Sequence, residues 1–415
     1  MPDLGNKGYG LQVTVDTGKL GILWRGQKAS LDAEHVARLK QLQGAVWIHA
    51  ASVGEFEQAR PLIEQLKIKN SKLKIAVTFF SPSGYEVRKN YPLADAVLYL
   101  PFATRANARA FLDALQPSIA IFVKYEFWPA YLKELRAREI PTYSISAIFR
   151  EKQIFFRWWG KYMLDVLRCF THIYVQDEAS LQLLNNHGVM QASIAGDTRF
   201  DRVQAVKDGL KTDDPRLIPV MDFVGDCQRV LVAGSTWPQD EELLARYADE
   251  HPECKIILVP HEIDDEHLHT IFNIFQGRFV RYTALSGERL TAIGTTRHNI
   301  IQHANVLVMD TMGLLSSVYR FGQVAYVGGG FGVGIHNTIE AAVYGVPVLF
   351  GPNYLHFREA KGLIAVGAAR SIANYPELEA ALETAFEQHS EIGQKAAEYV
   401  ASELGATDKI YKEIF

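Results

Sequence analysis

The residues of this chain best suited to chemistry sit at a few short turns. His49-Ala50-Ala51-Ser52-Val53-Gly54-Glu55 follows a hydrophobic run and ends on a carboxylate. There Glu55 could take a proton from an attacking hydroxyl, and Gly54 would let a backbone approach closely. The same spacing, Ser52-x-x-Glu55, is also a capping box, in which Glu55 only satisfies backbone donors. A helix N-terminus at this point predicts a lowered pKa for Glu55. Lys124-Tyr125-Glu126-Phe127-Trp128-Pro129 places two opposite charges and two aromatics at another turn. Lys124 and Glu126 could contact a sugar acid or an acceptor, or simply pair beside a packed tryptophan.

Further along, Ala233-Gly234-Ser235-Thr236 offers small residues and hydroxyls suited to a phosphate at a helix start. It lacks the Lys-Ser/Thr ending of a P-loop, and a plain N-cap fits it too. His261 follows Val259-Pro260. Asp310-Thr311-Met312-Gly313 could edge a nucleotide base or cap a helix. The densest segment is Gly328-Gly329-Gly330-Phe331-Gly332-Val333-Gly334-Ile335-His336-Asn337-Thr338-Ile339-Glu340. Its glycines would let a phosphate meet backbone N–H groups. A helix from about Asn337 would present Glu340 to a ribose diol. A G-x-G-x-x-G fingerprint is not matched, because Ile335 stands where the third glycine belongs. Phe155-Phe156-Arg157-Trp158-Trp159-Gly160-Lys161-Tyr162 is aromatic and basic, fit for a lipid interface or a packed helix. The histidines and acids of His261–His269 repeat no metal-ligand spacing, and neither G-x-S-x-G nor H-E-x-x-H occurs.

These turns need elements to hold them. β-branched runs near Val46–Ala50, Leu73–Phe79, Ala96–Leu100, Ile119–Lys124, Thr142–Ala147 and His172–Gln176 alternate with helical patterns. A polar stretch, Gly196–Gln228, interrupts the series and reads as poor material for a buried element. A second series follows at Arg229–Ser235, Lys255–Pro260, Ala304–Asp310, Val324–Gly329 and Val346–Gly351. Continuous apolar strands between helices mean parallel sheets covered on both faces. The expectation is an α/β chain of two Rossmann-like doubly wound domains, residues 1–200 and 201–415, facing a cleft. The last helix could cross back to the first domain. Ligands in such sheets bind beyond the carboxyl ends of the strands, where these turns lie.

Composition narrows the class. The chain has 415 residues, 48% hydrophobic and 22% charged, which excludes a disordered protein. Its net charge of −4 conceals an asymmetry: residues 1–200 carry 25 Lys+Arg against 18 Asp+Glu, the rest 18 against 29. A basic first half suits an anionic partner, whether a nucleic acid, a membrane surface or a phosphorylated substrate. Cys169, Cys227 and Cys254 are odd in number and far apart, which argues against a disulfide framework. The first twenty residues are polar and glycine-rich, without a signal-peptide core or a spanning run.

Taken in order, these segments resemble the bacterial 3-deoxy-D-manno-octulosonic acid (Kdo) transferases. The resemblance runs from Trp47-Ile48-His49-Ala50-Ala51-Ser52-Val53-Gly54-Glu55 through Lys124-x-Glu126-Phe127-Trp128-Pro129. It continues in Gly196-Asp197-Thr198-Arg199-Phe200-Asp201, Ala233-Gly234-Ser235-Thr236 and Asp310-Thr311-Met312-Gly313. Its most specific part is His336-Asn337-x-x-Glu340-x-Ala342-x-x-Gly345-Val346-Pro347-Val348-Leu349-Phe350-Gly351-Pro352, followed by Asn353-Tyr354-x-x-Phe357-Arg358-Glu359. The sequence departs from the family pattern at Leu314, Gly330 and Ile335. It also lacks the family's apolar anchoring helix in its first twenty residues.

The resemblance implies a glycosyltransferase-B fold and an inverting transfer of Kdo from CMP-Kdo to the lipid A precursor, lipid IVA, in lipopolysaccharide assembly. Glu55 would be the general base. Ser52, Gly54, Lys124, Glu126 and Arg199 would meet the acceptor or Kdo. Ser235, Thr236, His261, Asp310, Met312, Gly313, Gly329, Gly330, His336, Asn337 and Glu340 would hold the donor nucleotide. No metal or other cofactor is implied. The expected place is the cytoplasmic face of the inner membrane, with peripheral attachment and no nucleic-acid partner. The alternatives are another nucleotide-sugar glycosyltransferase or epimerase of this fold, or a non-enzymatic binder of anionic surfaces.

Overall fold

A computed structural model describes residues 19–211, 213–286, 301–332 and 334–415. Val333 of the glycine segment and nearly all of the polar N-terminal stretch lie outside the described residues. The chain divides into two compact units. The first holds the described residues up to Arg199 together with Gly405–Phe415, and the second is Phe200–Leu404.

In the first unit seven parallel strands are described: β1 (Val46–Ala50), β2 (Ile75–Phe79), β3 (Ala96–Tyr99), β4 (Ile119–Val123), β5 (Thr142–Ala147), β6 (His172–Val175) and β7 (Ala192–Ile194). They lie in the order β3-β2-β1-β4-β5-β6-β7. The central strands are buried on both faces, so their sequences are apolar throughout rather than alternating. Trp47, Phe111 and Phe122 pack one face of the sheet, and Ile48, Phe56 and Phe79 the other. The closing helix Ala406–Ile414 belongs to this unit, with Ile410 in the same core as Phe56.

The second unit repeats the plan with β8 (Val230–Thr236), β9 (Lys255–Pro260), β10 (Phe279–Arg281), β11 (Val306–Val308), β12 (Val324–Val327), β13 (Val348–Phe350) and β14 (Ala369–Ser371), in the order β10-β11-β9-β8-β12-β13-β14. The polar stretch before β8 is more structured than its composition suggests. Helix Ile218–Val224 buries Val220 and Phe223 in this unit's core beside Leu217, three apolar residues at three-residue spacing on one face.

In each sheet the strand order reverses beside the first strand, between β1 and β4 and between β8 and β12. Neighbouring crossovers there leave to opposite faces and open a crevice at the carboxyl edge. Apart from Arg199, which comes after β7, the candidate residues of the first unit follow β1 and β4, and the densest donor motifs of the second follow β8 and β12.

Candidate active site

Ser52 is the N-cap of helix Val53–Lys69, and the capping box is fully formed. Ser52 Oγ accepts from the Glu55 N–H at 3.4 Å, and Glu55 Oε2 accepts from the N–H groups of Ala51 (2.8 Å) and Ser52 (3.2 Å). This bends the carboxylate back over the carboxyl end of β1. The expectation of a lowered pKa is corrected. Burial, and then the Glu126 carboxylate, raise Glu55 above its ordinary 4.5, outweighing the Ala51 N–H, Lys124 and His49. A half-buried carboxylate with its pKa so raised is a stronger proton acceptor than a surface glutamate.

Beneath it runs a buried polar chain. His49 is fully buried on β1, and its Nε2 lies 2.9 Å from Glu126 Oε2. Its Nδ1 faces the Thr78 hydroxyl (2.9 Å) and carbonyl (3.1 Å). Trp47 Nε1 donates to the Thr78 hydroxyl at 2.8 Å. Trp128 Nε1 donates to Glu126 Oε2 at 2.6 Å. Glu126 therefore takes close contacts from His49 and Trp128. Lys124 stands in the left-handed region, with φ of 61°. Such strain in a non-glycine residue is held by its surroundings and recurs at functional sites. Burial alone would raise the Asp197 carboxylate, but the Arg199 guanidinium, the Arg199 N–H and Lys124 pull it below 3.8. Arg199 closes on Asp197 at 2.7–2.8 Å.

In the second unit Ser235 is a second strained non-glycine residue, with φ of 53° at the end of β8. The Thr236 hydroxyl donates to Glu241 at 2.9 Å, and Glu241 in turn meets His267 Nε2 at 2.9 Å. Asp240 is buried and accepts three bonds, from the N–H groups of Trp237 and Gly329 (2.9 Å each) and from the Tyr326 hydroxyl (2.7 Å). The Gly329 N–H is thus engaged within the fold, and its φ of 89° is the reason for glycine there. A Cβ at Gly330 would fall 2.6 Å from the backbone of Gly351. The role these two glycines show is close packing of backbone.

Three rings assemble over this turn. Trp237 stacks on His261 with centroids 4.9 Å apart, and His261 lies 4.3 Å from His336. Trp237 Nε1 donates to His336 Nε2 at 3.1 Å. Burial, and then His261, lower His336 to about 4, so it is a neutral acceptor at pH 7. The helix after the glycine turn begins at Ile339, later than its sequence suggests, and spans only Ile339–Ala342. Asn337 Nδ2 donates to Glu340 Oε1 at 2.9 Å. The buried Thr338 hydroxyl has no hydrogen-bond partner among the described residues. The Asp310 carboxylate is held by Arg281 (2.7 Å) and by the Thr283 hydroxyl and N–H (2.5 and 2.9 Å). A ligand at that turn would meet its backbone and the exposed Met312 beside Gly313.

His49, Thr78, Trp237, Asp240, Glu241 and Thr338 are site-forming residues that local patterns do not single out. Among the described residues no three His, Cys, Asp or Glu side chains converge as metal ligands.

Two doubly wound units with motif-bearing turns at their switch points define the class, the two-domain glycosyltransferase-B fold. The structure is similar to UDP-GlcNAc 2-epimerase from Neisseria meningitidis (TM-score 0.62, 14% identity, 89% of this chain and 98% of that one). It is also similar to MurG from Acinetobacter baumannii (TM-score 0.54, 12% identity, 89% and 99%). At these identities the likeness concerns the fold. Residues 26–202 match the family described as 3-deoxy-D-manno-octulosonic-acid transferase (kdotransferase). Proteins named 3-deoxy-D-manno-octulosonic acid transferase are similar over most of the chain. The one from Rickettsia felis is 27% identical over 80% of this chain and 69% of its own length. The one from Aquifex aeolicus is 24% identical over 82% and 85%. The chain is thus similar to the Kdo transferases, by the family match over residues 26–202 and by relatives that align over most of its length.

Proposed function

We propose that this chain transfers Kdo from CMP-Kdo, with inversion, to the lipid A precursor lipid IVA, at the cytoplasmic face of the inner membrane. The observation that carries the reading is Glu55. It is a half-buried carboxylate with a raised pKa, aimed over the carboxyl end of β1 within the segment that matches the family. In the proposed step Glu55 accepts the proton of the attacking acceptor hydroxyl. That oxygen bonds to the anomeric carbon of Kdo, and the bond from this carbon to the CMP phosphate breaks, with its electron pair leaving on CMP. Lys124 and Arg199, with Ser52 and Gly54, contact the acceptor or the Kdo carboxylate, and Glu126 holds the floor. Ser235 and the Thr338 hydroxyl meet the phosphate, Glu340 the ribose, and the Asp310–Gly313 turn the base.

Hydroxyls and backbone dipoles at the second unit's turns would stabilise the leaving phosphate, so the reading needs no metal. Chelation with EDTA leaves the rate unchanged if this is right. The donor assignment is tested by calorimetric titration with CMP and with UDP. Tighter binding of CMP is expected, and tighter binding of UDP would overturn the assignment.

A further inference from the structure

The aromatic segment after β5 divides residue by residue. Phe155 turns inward and packs on Phe127 and Phe149 at 5.2 and 5.9 Å. Trp158 and Trp159 turn outward, 89% and 57% exposed, with Tyr162 at 56% and Ile154 at 49% beside them. Exposing two indoles at one loop forfeits burial that a folded core would normally take. The loop is nevertheless tightly built. A Cβ on Gly160 would lie 1.7 Å from the Ile154 carbonyl oxygen, so only glycine lets the chain close back on the turn that carries the tryptophans. The Gly160 N–H donates to the Arg157 carbonyl at 2.8 Å.

Tyr162 also lines a groove of about 670 Å³, together with Arg105, Arg109, Pro129, Lys133 and Glu134 among others. Lys133 Nζ sits 3.9 Å from the centre of the Tyr162 ring. Glu134 is taken by Arg109 and Arg138. The exposed cations Arg105, Lys133, Arg157 and Lys161 have no carboxylate within ion-pair distance among the described residues. Helices Arg105–Leu115 and Pro129–Ala137 both start at the carboxyl edge of the sheet, the edge that carries Glu55. Trp128, which precedes Pro129, donates to Glu126 of the buried chain.

We infer that Trp158, Trp159 and Tyr162, with Arg105, Lys133, Arg157 and Lys161, form a surface that docks on an anionic phospholipid bilayer. Indoles insert at the headgroup level, and the cations meet lipid phosphates. The charge of the surface selects this occupant. A second copy meeting the first through this same surface would bring the cations against themselves. The inference deepens the lipid-acceptor reading. Vesicle binding needs no donor, so its failure is separate from failure of transfer.

The test is sedimentation of the full chain with phosphatidylcholine vesicles, with and without phosphatidylglycerol, together with tryptophan emission. The expected result is binding to the anionic vesicles with a blue shift in emission. W158S/W159S is expected to bind about tenfold or more weakly. R105A/K133A, on separate helices, is expected to lose about fivefold per charge on the anionic vesicles only. These side chains are exposed, so circular dichroism and melting should match the parent chain. Parent-like vesicle binding by either variant would overturn the proposal. So would a dimer in solution that W158S/W159S abolishes.

Discussion

Glu55→Gln separates a catalytic carboxylate from a helix cap, because the structure gives the two roles different magnitudes. As a cap, Glu55 Oε2 accepts two N–H groups at 2.8 and 3.2 Å. Glutamine keeps an acceptor oxygen in the same place, so the loss is the charge-assisted part of those bonds, about 1 kcal/mol. Removing a carboxylate that is desolvated and faces Glu126 offsets some of this. The net change in stability is expected to lie within about 1 kcal/mol, a shift of roughly 2–4 °C in melting for a unit of this size. As a base, its loss is expected to lower kcat by about 10²–10⁴, or roughly 3–5.5 kcal/mol of barrier. The assay is turnover at saturating CMP-Kdo, alongside a thermal melt of the same preparation. Near-normal turnover with a lowered melting temperature would refute the catalytic assignment and leave only the cap.

The raised Glu55 pKa places the acid limb of kcat/KM above 4.5, and Glu126→Gln removes the like charge and is expected to move that limb to lower pH without abolishing turnover. In stability the sign is opposite to that of a salt-bridged carboxylate: the folded state holds the extra proton, so stability falls as pH rises from 4.5 through the raised value. Trp237→Phe keeps the stack on His261 but loses the bond to His336 Nε2, about 1 kcal/mol or more. The expected effect is a several-fold rise in the donor KM with a smaller change in kcat, read from initial rates. Gly330→Ala drives a Cβ to 2.6 Å from the Gly351 backbone and is expected to cost about 1–3 kcal/mol, read as a lower urea midpoint at unchanged slope.

The long central strands are legible in sequence because burial on both faces makes them continuous apolar runs. β1, β5 and β9 fall at the expected residues. The three-residue strands β7, β10 and β14 are not, since each is short and incompletely buried at a sheet margin. At the site, local spacing reveals the Ser52–Glu55 capping box. It misleads on the Glu55 pKa, because the helix terminus is a local feature while burial, and then Glu126 in the turn after β4, come from the tertiary fold. The partnership of His49 with Glu126 spans 77 residues, and that of Trp237 with His336 spans 99. Hydrophobic periodicity carries no record of such pairs. The glycine run is legible as a turn, but the commitment of the Gly329 N–H to Asp240 is a tertiary fact.

The most direct test of the account is incubation of the chain with CMP-Kdo and lipid IVA, with the lipid products read by mass. The expected result is lipid IVA carrying added Kdo, with CMP released in equal number and no such product from the Glu55→Gln chain over the same time. No Kdo-bearing lipid from the parent chain, or turnover of a UDP-sugar in its place, would contradict the account.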